Sequence, residues 1–358
     1  MTTQTPNPPD TQPSPDFWLQ LRQLLRHTIT PRPTPVEARL SLAAAPLTLR
    51  FASAALQNRI LPALSHLPAH NHPSPDLTIL VHDYASAPEI PALLRDLTIS
   101  SSGEEYWVFH QGSLVVNLQH HGRVLSAIDW ETRTAWWIGP SPDAIEYTER
   151  AHPLRLILTQ WQQSRGCNLV HAAAVGIPSG CALIIGQGGA GKSTSALASA
   201  TGGLLYLGDD ICLVQDSPAP LVHSLYSSAK LACLSRFPAL APASVPEGRP
   251  DSEKLILFFH QLAAVSTVPT LPLRALLLPT ITAATQTTIR PSTPAQAFLQ
   301  LTPSCIWHLP HLRPQLLAAF AALARRVPVY TLALGCDFAS TPIAIRALLL
   351  QLQTSEPA

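Results

Sequence analysis

With 358 residues, 46% of them hydrophobic and 13% charged, the chain is long enough for two packed units and too apolar to be a solvated tail. Its 23 basic and 22 acidic residues leave a formal net charge of +1 with no basic run, which argues against nucleic acid and against an anionic membrane surface as partners. Residues 1–15 lack the features of a secretory signal, no apolar run approaches the roughly 20 residues of a membrane-spanning helix, and the six cysteines show neither C-x-x-C nor metal-ligand spacing, so a cytoplasmic protein with reduced thiols is expected.

Residues 1–15 are polar and proline-rich and are expected to form a disordered leader. Apolar residues at Phe17, Leu19, Leu21, Leu24 and Leu25 predict a short amphipathic helix that ends before Pro31. A strand is expected from about Leu47, a helix over 55–67, a proline-rich break at 70–75 and a strand at 77–81. Residues 105–139 then read as an antiparallel meander, with strands at 106–110, 114–118, 124–129 and 134–138. Together residues 16–150 make an N-terminal α+β accessory domain. Trp130, Trp136 and Trp137 fall in it and are assigned to core or edge packing rather than to ligand stacking; His120 and His121 are assigned to the surface.

Helical spacing over 153–163 leads into a second domain, residues 151–355, where the character of the chain changes. Nine of the sixteen glycines lie between Gly176 and Gly208, the mark of backbone that must approach something closely. A strand over 168–175 turns through Pro178-Ser179-Gly180 into the apolar run 181–185. A run of small, helix-compatible residues at 193–200 is closed by Gly202-Gly203, and a strand at 204–207 ends in Gly208-Asp209-Asp210. Beyond these, 255–263 fits either a helix or a strand, 273–278 a strand, 294–301 a helix capped by Ser292 or Thr293, 312–325 a helix, 327–334 a strand and 342–352 the closing helix.

Between the apolar run 181–185 and the helix at 193–200 stands Gly186-Gln187-Gly188-Gly189-Ala190-Gly191-Lys192-Ser193-Thr194. Successive amides of such a loop, with the positive end of the following helix, surround a β-phosphate, and glycines are needed because side chains would block the approach. Lys192 would reach the β- and γ-phosphates, Ser193 would offer its hydroxyl to Mg²⁺, and Thr194 would contact the nucleotide. A strand parallel to 181–185 would carry Asp209 and Asp210 to the same edge, where one carboxylate can hold Mg²⁺ and the other accept the proton of an attacking hydroxyl. His171 precedes the loop on the hairpin strand. Lysine occurs only at Lys192, Lys230 and Lys254, all in this half of the chain.

His171 with the alanines that follow it, the loop at 186–194 and the acid pair after Leu207-Gly208 resemble the catalytic domain of bacterial HPr kinase/phosphorylase and the related kinases found near peptide-modification genes. The motifs match over 168–215, and a looser similarity, through residues 224–231, 327–330, 334, 335 and 337, extends to about 30–352. The resemblance implies an α/β P-loop kinase fold of the HPr kinase and phosphoenolpyruvate carboxykinase type, ATP and Mg²⁺ as cofactors, and phosphoryl transfer to a serine hydroxyl. It implies Asp209 as general base, Asp210 and Ser193 as Mg²⁺ ligands, and His171 as support for the acid pair. The arginine-centred segment tied to phosphorolysis has no counterpart here, and the loop ends Lys-Ser-Thr rather than Lys-Ser-Glu; the cation that completes the site is left among Lys230, Arg236, Arg249 and Lys254.

The function expected is therefore an ATP-dependent serine kinase acting on a peptide or protein hydroxyl. A small-molecule kinase and a nucleotide-binding switch or scaffold without transferase activity stand as alternatives, and a homo-oligomer is left open.

Overall fold

A computed structural model describes residues 13–28, 36–95, 106–119, 123–231, 234, 235, 237–243, 255–259, 262, 264–308 and 313–354. The expected leader up to residue 12, His120, His121, Arg236, Arg249 and Lys254 lie outside them. The chain is a mixed α/β protein, and none of its described helices is long and apolar enough to cross a membrane.

Helix α1 (Pro15–Gln23) starts on Ser14, whose hydroxyl accepts from the Phe17 amide at 3.2 Å, and widens into a π turn at Leu24–Thr28. A seven-stranded sheet follows, from β1 (Val36–Leu42), β2 (Ala45–Phe51), β3 (Leu77–Asp83), β4 (Tyr106–Gln111), β5 (Leu114–Gln119), β6 (Val124–Asp129) and β7 (Thr134–Gly139). Its strand order is β1-β2-β3-β7-β6-β5-β4, with β2, β3 and β7 parallel and the meander β4 to β7 antiparallel as the alternation required. Helix α2 (Ala54–Ile60) makes the β2-to-β3 crossover; it stops earlier than expected and continues as a 3₁₀ turn over Leu61–Leu64, where Pro62 has no amide to donate. Helix α3 (Glu89–Arg95) packs with α1 on one face of the sheet. Neighbouring residues of a strand face opposite ways, so Trp136 joins that face and Trp137 the other, both buried.

After the short α4 (Tyr147–Ala151), α5 (Arg155–Gln163) leads to β8 (Cys167–Val170), β9 (Ala172–Ile177), β10 (Gly180–Ile185), α6 (Lys192–Thr201), β11 (Leu205–Gly208), β12 (Cys212–Gln215), β13 (Leu221–Ser224), β14 (Ser228–Leu231) and β15 (Leu255–Phe258). Then come β16 (Thr270–Ile281), β17 (Thr288–Pro291), α7 (Pro294–His308), α8 (Arg313–Arg326), β18 (Val329–Leu334) and α9 (Ser340–Thr354). The strand expected over 168–175 is broken at His171: β8 pairs with β12, whereas β9 pairs with β10 and β11, and the chain bends where it changes partners. The segment that fitted either a helix or a strand resolves as β15, which pairs with β14 in a separate two-stranded ribbon. The helix expected from residue 294 is capped by the Thr293 hydroxyl, which accepts from the Gln296 amide.

The twelve-residue β16 is the spine of the nine-stranded sheet. Its first residues pair with β13, its middle runs parallel to β10 and its end parallel to β18. Because β9 runs antiparallel to both β10 and β11, the strands β10, β11, β16 and β18 all point the same way, and their carboxyl ends define one edge. Alanines of α6 let it approach β9 and β10 closely on one face, with α9 beside it; α7 and α8 cover the other. The apolar interior there runs without a break into the first sheet, joining Leu49, Phe51 and Trp137 to Trp161, Leu213 and Tyr226. Leu276, fully buried in β16, touches this interior, so Leu276→Ala is expected to lower the unfolding free energy by about 2–5 kcal/mol in a urea titration.

Candidate active site

Every residue of β10 is buried, and the loop that leaves its carboxyl end turns on glycines in the left-handed region, Gly189 at φ +81° and Gly191 at φ +101°. A Cβ on Gly188 or Gly189 would meet open space, whereas one on Gly191 would fall 2.5 Å from Leu334 Cδ1, so the first two glycines leave room for a ligand and the last allows the loop to sit on β18. Among the described residues no side chain caps the start of α6, which leaves its leading amides for an anion. Lys192 is buried, and its Nζ donates to the carbonyls of Gly186 at 2.7 Å and Gln187 at 3.1 Å, drawing the ammonium back across the loop.

The acid pair reaches the same edge through register. Ile185 at the end of β10 lies opposite Ala172, and Gly208 at the end of β11 opposite Ala174, so β9 stands between the loop and the carboxylates and its first neighbour, His171, falls between them too. Asp210 adopts φ +71°, a left-handed conformation that aspartate tolerates better than most residues, and this turns the two adjacent side chains into different surroundings.

Asp209 is 1% exposed, and neither carboxylate oxygen completes a hydrogen bond of normal geometry with a described residue. Burial, and then the neighbouring Asp210 charge, push its pKa up to about 6, opposed by the nearby Ser193 hydroxyl, Lys230 and the Asp210 amide. Asp210 is in the opposite condition. His171 Nε2 stands 3.0 Å from Oδ1, Lys230 Nζ 2.6 Å from Oδ2 and His152 Nδ1 3.9 Å from Oδ2. Burial alone would raise its pKa, but the His171 hydrogen bond and the charges of His152 and Lys230 hold it far below the usual carboxylate range.

The fold therefore brings together His171, Lys192, Ser193, Asp209 and Asp210, with Lys230 as the described member of the four candidate cations. Ser193 lies beside Asp209, while the oxygens of Asp210 face His171, Lys230 and His152. Asp209, with its two orphaned oxygens beside the Ser193 hydroxyl, forms with it a set of hard oxygen donors that suits Mg²⁺. Sequence patterns missed His152. It ends α4 and precedes a Pro-Leu pair whose Leu154 takes φ +59°, where helical spacing had placed the start of α5 two residues too early.

No protein-family model matches the chain, and a search of curated proteins finds no match.

A carboxyl with pKa 3.8 in the unfolded chain and about 6 in the folded one binds its proton more tightly when folded. Its contribution to stability is therefore complete below pH 3.8 and declines as the pH rises through 6, and ionised Asp209 costs the fold on the order of 3 kcal/mol at pH 7. Asp209→Asn is expected to melt at or above the wild-type temperature at pH 7.5, with the comparison swinging toward wild type as the pH falls to 4. A difference that does not change with pH would rule out this account of Asp209.

Proposed function

We propose that the protein is a Mg²⁺- and ATP-dependent kinase that transfers the γ-phosphoryl group to a hydroxyl, most simply a serine of a peptide or protein, in a cytoplasmic setting. The observation that carries this is Asp209: a buried carboxylate with no completed hydrogen bond and a pKa raised to about 6, set beside Ser193 at the mouth of a glycine loop closed by its own lysine. A buried acid whose oxygens complete no well-formed hydrogen bond costs stability, and such a cost is retained where a site needs a proton acceptor poised near the working pH. Support for the HPr kinase and phosphoenolpyruvate carboxykinase type of P-loop fold comes from the β9–β10 hairpin, which inserts β9 and His171 between the loop strand and the acid strand.

The amides of 186–191 and the start of α6 would bind the β-phosphate, and Lys192 would exchange its two carbonyl partners for phosphate oxygens. Mg²⁺ bound with the nucleotide, with Ser193 and an Asp209 oxygen within its reach, would neutralise charge on the phosphates. The acceptor oxygen attacks the γ-phosphorus, the bond to the β-phosphate oxygen breaks, ADP leaves, and the acceptor proton passes to Asp209. Asp210, anionic throughout, keeps His171 in place. The seven-stranded sheet favours a macromolecular acceptor, since a compact metabolite kinase has no need of one.

Incubation of the full chain with Mg²⁺, ATP and candidate peptides, followed by mass spectrometry, is expected to show a gain of one phosphoryl group on serine. Asp209→Asn should reduce transfer by about 10²–10⁴-fold while ATP still binds. In the wild type, kcat/KM should climb with pH through about 6 and then level off, since the base must be deprotonated. Transfer retained in Asp209→Asn would remove it as the base, and a chain that binds no nucleotide would overturn the kinase assignment.

A further inference from the structure

One oxygen of Asp210 is faced by two side-chain nitrogens. Lys230 Nζ holds Oδ2 at 2.6 Å, His152 Nδ1 stands 3.9 Å from the same atom, and Oδ1 belongs to His171. A distance of 3.9 Å is beyond a hydrogen bond, so Lys230 makes the close contact to Oδ2 and His152 stands within ion-pair range of the same atom.

His152 is buried and held there on several sides. Its ring packs on that of Tyr226, centroids 5.1 Å apart at 47°. The Tyr226 hydroxyl donates to the Pro153 carbonyl at 2.8 Å, and the Ser228 hydroxyl donates to the Ala151 carbonyl. The carbonyls on either side of His152 are thus tied to the segment that carries Lys230 two residues further on. From the other side, half-buried Glu149 accepts from Trp137 Nε1 of β7 at 2.9 Å and from the Leu154 amide at 3.0 Å, which fixes the connector to the first sheet.

A lysine neutralised by a carboxylate at 2.6 Å does little for a polyphosphate. Its long stem lets it swing away, but departure strands one oxygen of a mostly buried anion, and an unpaired buried charge opposes the move. On the kinase reading above, we infer that His152 is a positioning residue that takes over Asp210 Oδ2 when Lys230 leaves it for the γ-phosphate. The swap keeps Asp210 paired through the cycle and makes Lys230 the cation that neutralises the transferring group.

Three lysines in the whole chain make the exchange directly observable. Reductive methylation with ¹³C-formaldehyde keeps the charge of each lysine and gives Lys192, Lys230 and Lys254 separate NMR signals, assigned with single Lys→Arg variants. Adding Mg²⁺ and a non-hydrolysable ATP analogue to the full chain should move the signals of both Lys192 and Lys230. His152→Phe, which keeps the ring packing on Tyr226 but has no Nδ1, should leave the Lys192 response intact and at least halve that of Lys230. ATP turnover, measured as ADP release, should fall about tenfold with the KM for ATP within twofold, the size of one lost charge-assisted hydrogen bond. A Lys192 signal that moves while that of Lys230 stays still overturns the swap, in the wild type alone and whether or not the variant folds. Wild-type turnover and a full Lys230 response in His152→Phe overturn the role of His152. If neither Lys192 nor Lys230 responds, the nucleotide site itself is wrong and the swap falls with it.

Discussion

Two carboxylates adjacent in sequence cannot both be buried and charged in one environment, and the turn after β11 resolves this by separating them. The left-handed Asp210 sends its side chain toward His171, Lys230 and His152, while Asp209 stays buried beside Ser193. The pKa values of the pair are driven apart as a result, Asp209 upward and Asp210 downward. A pair of acids split in this way has one member suited to exchange a proton and one suited to stay charged and hold cations. A left-handed non-glycine residue costs on the order of 1 kcal/mol, small beside the Coulomb repulsion that two unseparated charges would suffer in a low-dielectric site.

The sheet supplies the positions that make this turn useful. Loop strand and acid strand are parallel but not adjacent; with β9 between them their axes lie roughly 9–10 Å apart, twice the usual spacing between neighbouring strands. Side chains from both edges can meet across that gap only if something spans it, and the start of β9 does so because the hairpin begins that strand where β10 ends. The bend at His171, where pairing passes from β12 to β10 and β11, aims its imidazole at Asp210. The break in the strand and the contact it creates are one feature.

Much of this was legible in the sequence because the signals are local. Glycine density marked the loop, since only glycine takes φ near +81° and +101° without strain, and the Gly-Asp-Asp terminus marked the acid strand. The β4–β7 meander followed from alternation, and β16 and β18 from apolar runs. What escaped depends on distant partners. Which carboxylate lies beside Ser193 is set by Lys230 and His152, 20 residues later and 58 residues earlier than Asp210, and no spacing rule joins them. The four-residue strands β8, β12 and β13 are too short to show a period, and they exist because β16 and one another offer edges to pair with; β14, as short, has its edge from β15.

The two sheets divide the strands of the chain near residue 150 without dividing its interior. The connector there is the most densely tied segment near the site: Glu149 holds Trp137 and the Leu154 amide, Tyr226 holds Pro153, and Ser228 holds Ala151. Burial pushes the Glu149 carboxyl upward in pKa, so the knot is kept by an acid that would be costly to leave unpaired. Anything that shifts β7 against α5 must break one of these bonds or carry His152 with it. The first sheet thus reaches the acid pair through a rigid segment of six residues, and a change in its packing has a short physical route to Asp210 that does not pass through the glycine loop.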